Sequence, residues 1–104
     1  MLDRTLRQYT YSHVSQENKY PVFLGCEITY TNFSKVLAAI KEFVEEIHTE
    51  DDESVLITNR GMEQKMYVHV GQYIFLDEDM RVFTIPSYLK PFLFVEVKNP
   101  KWFH

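Results

Sequence analysis

The stretch Asn32-Phe33-Ser34-Lys35-Val36-Leu37-Ala38-Ala39-Ile40-Lys41-Glu42-Phe43-Val44-Glu45-Glu46-Ile47-His48 decides how the rest of the chain is read. Phe33, Val36, Leu37, Ile40, Phe43, Val44 and Ile47 step by three, one, three, three, one and three, which lays seven apolar side chains on one stripe at helical spacing. Lys35, Lys41, Glu42, Glu45 and Glu46 fall on the other side. Thr31 or Asn32 can cap the start by accepting a bond from a free backbone N–H, and no Pro or Gly interrupts the run. Acids at a helix C-terminus oppose the macrodipole. The pattern therefore predicts a helix from Asn32 to about His48, with Glu50–Glu53 as a solvated loop. Large buried apolar side chains at about 1.5–3 kcal/mol each give such a stripe on the order of 10–20 kcal/mol of gross transfer energy. An isolated helix of this length is marginal in water, so the stripe must dock on something.

The partner for that stripe lies on both sides of it. Upstream, Tyr20-Pro21-Val22-Phe23-Leu24-Gly25-Cys26-Glu27-Ile28-Thr29-Tyr30 is β-branched and aromatic enough for a strand, and Gly25 within it marks a bulge or a close backbone approach. Arg7–Val14 reads as a short edge strand, or as an arm within residues 1–18. Downstream, Ser54–Thr58 is a strand and Asn59-Arg60-Gly61 a turn. Met66, Val68 and Val70 alternate with Lys65, Tyr67 and His69, so one face is apolar and the other amphipathic. Gly71-Gln72 bends into Tyr73–Leu76, Asp77-Glu78-Asp79 turns, and Arg81–Pro86 returns antiparallel. Ser87–Lys90 forms one helical turn stopped by Pro91, and Phe92–Val97 closes as a last strand. The expectation is an α+β domain, with one amphipathic helix packed on a small antiparallel β-sheet of about 4–6 strands.

The chain has 104 residues and reads as a single domain, with 98–104 as a tail. Three glycines nearly exclude a Gly-rich phosphate loop or dinucleotide fingerprint, and one cysteine excludes an intrachain disulfide or a Cys-rich zinc site. The formal charge is −4, and the acids are uneven: Glu45, Glu46, Glu50, Asp51, Asp52 and Glu53 crowd into nine positions. The remaining eleven bases and nine acids leave +2, and the bases never build a run. Nucleic-acid binding is therefore disfavoured. Met1–Arg7 lacks the apolar core of a secretory signal, and no apolar run approaches the roughly 20 residues of a membrane span. A lone Cys26 fits a cytoplasmic protein.

Candidate chemistry is sparse. Cys26 has no histidine at a spacing that points to a dyad, and reads better as a small buried residue. His13, His48, His69 and His104 form no i, i+4 pair, so no metal site is expected. Glu50–Glu53 lacks the alternation of a calcium loop. Tyr67, Tyr73, Phe75 and Phe83 would lie on adjacent strands and could stack bases, but core packing or a protein interface fits them better. No cofactor and no enzymatic activity is expected. The candidate partner-binding residues are the acids Glu45, Glu46, Glu50, Asp51, Asp52 and Glu53, together with Trp102 and Phe103 of the tail, where two aromatics suggest docking on the chain itself or on a second copy.

The order of elements resembles a group of small phage and prophage proteins of unknown function. These open with a Lys-Tyr…Pro-Val strand, begin a helix near an Asn and carry a hairpin with a Val-Gly-Asp-Tyr-Ile core. Here the opening is Lys19-Tyr20-Pro21-Val22, the helix begins at Asn32, and the core is Val70-Gly71-Gln72-Tyr73-Ile74, with Gln72 at the usual Asp. Phe83, Pro86 and Phe92 follow at similar spacing, so the likeness covers residues 19–97. The resemblance implies a phage or prophage origin and no site. The expected function is a small non-enzymatic protein that occupies a surface of a host protein in the host cytoplasm, through its acidic run. The alternatives are a small-molecule-binding decoy or sensor and a nucleic-acid-binding accessory protein.

Overall fold

The structure is a computed structural model that describes residues 6–12 and 22–97. The elements are β1 (Arg7–Tyr11), β2 (Phe23–Glu27), α1 (Phe33–Ile40), β3 (Val44–Asp51), β4 (Ser54–Asn59), β5 (Lys65–His69), β6 (Gln72–Leu76), β7 (Val82–Pro86), α2 (Lys90–Leu93) and β8 (Phe94–Glu96). Two 3₁₀ turns, Lys41–Phe43 and Ser87–Leu89, complete the series. The class is α+β, as expected, but the described residues form eight strands in two sheets and a second short helix. One sheet has the order β7-β6-β2-β1-β8, the other β3-β4-β5, and every pairing is antiparallel.

The long helix is the principal correction. α1 stops at Ile40, and the chain turns through Lys41–Phe43 into β3. Phe33, Val36, Ile40 and Val44 are buried, and Leu37, Phe43 and Ile47 pack half-buried against the same core. All seven stripe residues thus reach the core, the last of them from a strand. β-Branched Val44, Ile47 and Thr49 favour extended backbone, and β3 finds a hydrogen-bonding partner in β4, with Ile47 opposite Ile57 and Thr49 opposite Val55. Asn32 does not cap α1 through its side chain. Its amide instead accepts from the Thr29 N–H at 2.8 Å and donates to the Glu27 carbonyl at 2.8 Å, which fastens the loop between β2 and α1.

The five-stranded sheet curls strongly. Phe94 on β8 and Phe75 on β6 are three strand steps apart, about 14 Å across a flat sheet. Their ring centroids are 4.5 Å apart, and Phe83 on the far edge strand lies 6.1 Å from Phe94. The sheet is therefore a partly open barrel whose inner face holds Tyr9, Phe23, Phe75 and Phe94, flanked by Tyr73, Phe83 and Ile85. Gly25 makes this possible: a Cβ there would collide with the Ile74 carbonyl oxygen and with Phe75 Cδ1. The close approach expected at Gly25 is thus the Phe75 ring and the β6 backbone. β1 lies inside this sheet, between β2 and β8, and is not an edge strand.

Residues 28–71 are one excursion between β2 and β6. Its ends are paired, the Ile28 N–H donating to Gln72 O at 2.8 Å and the Gly71 N–H to Ile28 O at 3.0 Å. The excursion folds into α1 and the three-stranded sheet, which cover the outer face of the barrel. Cys26, Ile74, Leu76 and Val82 from the barrel meet Val36, Ile40, Val55, Ile57 and Val68 there. One buried side chain joins the two layers: the Asn59 amide donates to the Val82 carbonyl at 3.0 Å and accepts from the Val82 N–H at 2.8 Å. Pro91 does not stop a helical turn. It sits in the first turn of α2, where its missing N–H costs nothing.

Candidate functional site: an acidic strand edge

Among the described residues β3 is an edge strand, paired only with β4. Glu45, Glu46, Glu50 and Asp51 stand exposed along it, and Asp52-Glu53 form the two-residue turn into β4. The acidic run is therefore neither a helix face nor a free loop, and Glu45, Glu46, Glu50 and Asp51 share one strand. Register shifts between Val44 and Glu46 and between Thr49 and Asp51 twist the strand locally. Charges and bulges of this kind ordinarily protect an edge from pairing with another chain.

The six carboxylates have different duties. Asp51 accepts from the Glu53 N–H at 2.8 Å and from the Ser54 hydroxyl at 2.9 Å. The Glu53 backbone bond, and after it the Ser54 hydroxyl, hold the Asp51 carboxyl below its ordinary pKa. Glu53 accepts from the Tyr30 hydroxyl at 3.0 Å, and that bond to a carboxylate pushes the phenol up. The Glu53 carbonyl also accepts from the Val70 N–H at 2.9 Å, which ties the turn to the end of β5. Glu45, Glu46 and Asp52 have no side-chain partner among the described residues, and Glu50 has only the His48 ring at 4.0 Å. No Lys or Arg stands at ion-pair distance from any of the six among the described residues. The run therefore keeps its negative field.

The outer face of the three-stranded sheet carries cross-strand rows. Asp51 is opposite Ser54 and Ser54 opposite His69, while Leu56 is opposite both His48 and Tyr67. Beside the turn these rows open into a cleft of about 260 Å³, lined by Asp51, Glu53, Ser54, Tyr67, His69 and Val70. His69 Nδ1 lies 2.8 Å from the Val70 carbonyl oxygen, which only a protonated Nδ1 satisfies. The Tyr67 ring, 51% exposed, lies 5.5 Å from the His69 ring. An open cleft with two carboxylates and an aromatic wall suits a cation.

Tyr30, Tyr67 and His69 are the site residues that sequence reasoning did not select. The signal for two of them was present, since Tyr67 and His69 alternate on the amphipathic face of β5. Tyr67 also does not join Tyr73, Phe75 and Phe83 on one aromatic surface: it belongs to the other sheet, and Phe75 is fully buried. Cys26 is buried, and desolvation pushes its thiol up to about 11. Trp102, Phe103, His13 and His104 lie outside the described residues. Among the described residues no group of three His, Cys, Asp or Glu could hold a metal ion, and no helix is long and apolar enough to cross a membrane.

No family model, no curated protein and no solved structure matches the chain.

Proposed function

We propose that the protein is a non-enzymatic binding domain that takes a basic surface of a partner protein against the acidic edge of β3. One Lys or Arg side chain of the partner sits in the cleft between Asp51 and Tyr67. The observation that carries this reading is the unneutralised acidic edge, which ends at a cleft with an aromatic wall. A cation there meets the Asp51 and Glu53 carboxylates and the exposed face of Tyr67, a combination of Coulomb and cation–π attraction. The field of the edge also steers a basic partner before contact. The resemblance to phage and prophage proteins makes that partner a host protein, met in the host cytoplasm.

The test spares the structural acids. Glu45→Gln, Glu46→Gln, Glu50→Gln and Asp52→Asn are combined, and Asp51 and Glu53, whose oxygens hold the turn and Tyr30, are left in place. The variant folds normally, and its melting point stays at or slightly above that of wild type because like-charge repulsion falls. In affinity capture at low ionic strength, wild type retains a basic partner that the variant releases, and association with the purified partner slows and loses its salt dependence. Tyr67→Ala weakens the same association at every salt concentration. If the neutral variant captures the same proteins at the same rate in low salt, the acids only guard the edge and the reading is wrong.

A further inference from the structure

A second cleft lies on the barrel, away from the acidic edge. Gln8, Leu24 and Leu76 stand in one row across β1, β2 and β6, on the face opposite the aromatic interior. The row floors an open cleft of about 380 Å³ whose walls are Val22 and the β6–β7 turn, with Asp77, Glu78 and Met80. That size falls in the range of small-molecule sites.

Three features of this cleft are not explained by folding. Among the described residues the Gln8 Oε1 is buried and has no hydrogen-bond partner. An unpaired buried acceptor disfavours the folded state until a donor reaches it. The rim is charged with one sign: Asp77 uses Oδ1 to accept from the Asp79 and Arg81 N–H groups at 2.8 and 3.0 Å, which leaves Oδ2 free, and the Glu78 carboxylate is exposed. Finally, Met80 has φ 60°, the left-handed conformation that a turn ordinarily gives to Gly or Asn. Here the residue is a methionine, and its flexible thioether chain lines the cleft, 44% exposed.

We propose that this cleft binds a small molecule with an apolar body and a protonated amine. The body packs on Leu24, Leu76, Val22 and Met80. The amine donates to the Gln8 carbonyl oxygen, brought round by rotation of its amide, and faces the Asp77 and Glu78 carboxylates. Among the described lining side chains, Asp77 and Glu78 are anions and the Gln8 amide NH₂ is the one donor, so a carboxylate or phosphate head is disfavoured by the rim charge. This site is independent of the acidic strand edge, and neither depends on the other.

The probe is n-octylamine, titrated into ¹⁵N-labelled full-length protein, with n-octanol and octanoate as chain-matched controls. Octylamine produces saturable shifts at the amides of Leu24, Leu76 and Met80. Octanol binds the same residues more weakly, and octanoate does not bind them. Glu78→Lys, a surface change that leaves the spectrum of the remaining protein in place, weakens octylamine by about fivefold through the reversed rim charge. Gln8→Leu, which keeps the floor apolar, also weakens it while leaving octanol unaffected. The proposal is overturned if octylamine gives no saturable shift at these residues, if octanoate binds as well as octylamine, or if Glu78→Lys leaves octylamine affinity unchanged.

Discussion

Asn59 offers the sharpest test of how the two layers are joined. Its amide is the only described side chain that bonds both backbone groups of one residue across the layers, at 3.0 and 2.8 Å from Val82. Asn59 is 7% exposed and Val82 3%, so water cannot replace the amide unless a cavity opens. Asn59→Leu fills the same space without polar atoms. It leaves the Val82 N–H and C=O buried and unpaired, at about 1–3 kcal/mol each, or about 2–6 kcal/mol together. Against a total stability of about 5–15 kcal/mol this is a large fraction, and the urea midpoint should fall by about 1 M or more. Asn59→Asp separates the two bonds. A carboxylate still accepts from the Val82 N–H, but it sets a second oxygen against the Val82 carbonyl. That contact favours the protonated acid, so the folded pKa rises above the unfolded value near 3.9. The sign follows: the contribution is present below pH 4 and is lost as pH rises through the folded pKa. Asn59→Asp should therefore approach wild type in acid and fall away at neutral pH. Urea titration followed by circular dichroism, with hydrogen exchange at the Val82 amide, reads both effects. A midpoint for Asn59→Leu within experimental error of wild type, with undiminished Val82 protection, would refute the account.

Three further outcomes follow from the packing and the buried hydroxyl. Gly25→Ala should destabilise by about 1–3 kcal/mol through overpacking, because its Cβ meets a backbone oxygen that cannot retreat and the fully buried Phe75 ring; an unchanged near-ultraviolet spectrum and midpoint would show that the barrel is loosely packed. Ile40→Asp places a charge at a position with no exposure and should cost several kcal/mol, enough to abolish the cooperative calorimetric melt expected of wild type. Desolvation inside the barrel, followed by Tyr73, raises Tyr9 from 10.0 to about 12, so the folded state keeps a proton that the unfolded chain releases. Stability should decline as pH rises from 10 towards 12 and be unaffected by this group below pH 10, and Tyr9→Phe should flatten that decline in alkaline denaturation.

Local signals in the sequence were sufficient for most strands. The alternation of Met66 and Val68 with Tyr67 and His69 and the acidic turn at Asp77-Glu78-Asp79 each carry their reason within a few residues. The apolar stripe from Phe33 to Ile47 also named the right core residues. It did not name their backbone, because the three-residue spacing of Val44 and Ile47 suits a helix face, and in a strand both point inward only because the register shift between Val44 and Glu46 absorbs the extra residue. The choice belongs to β4, a partner beyond the turn, whose backbone groups pair with those of β3.

Tyr73-Ile74-Phe75-Leu76 is a continuous apolar run, and such a run can mean burial on both faces. The sequence could not say what covers each face. The fold answers with the barrel interior on one side and the α1 excursion on the other. In the acidic run the sequence alone determined the charge, since six carboxylates within nine positions have no Lys or Arg interleaved. Only the tertiary structure decided which of them are free. Asp51 and Glu53 are committed to the turn and to Tyr30, whereas Glu45, Glu46 and Asp52 face solvent. The same holds for Asn59, which reads locally as a turn residue and becomes the clasp between layers. Hydrophobic periodicity is a local property that the chain carries with it. Pairing across 23 residues, as between Asn59 and Val82, exists only once the backbone has brought the two together.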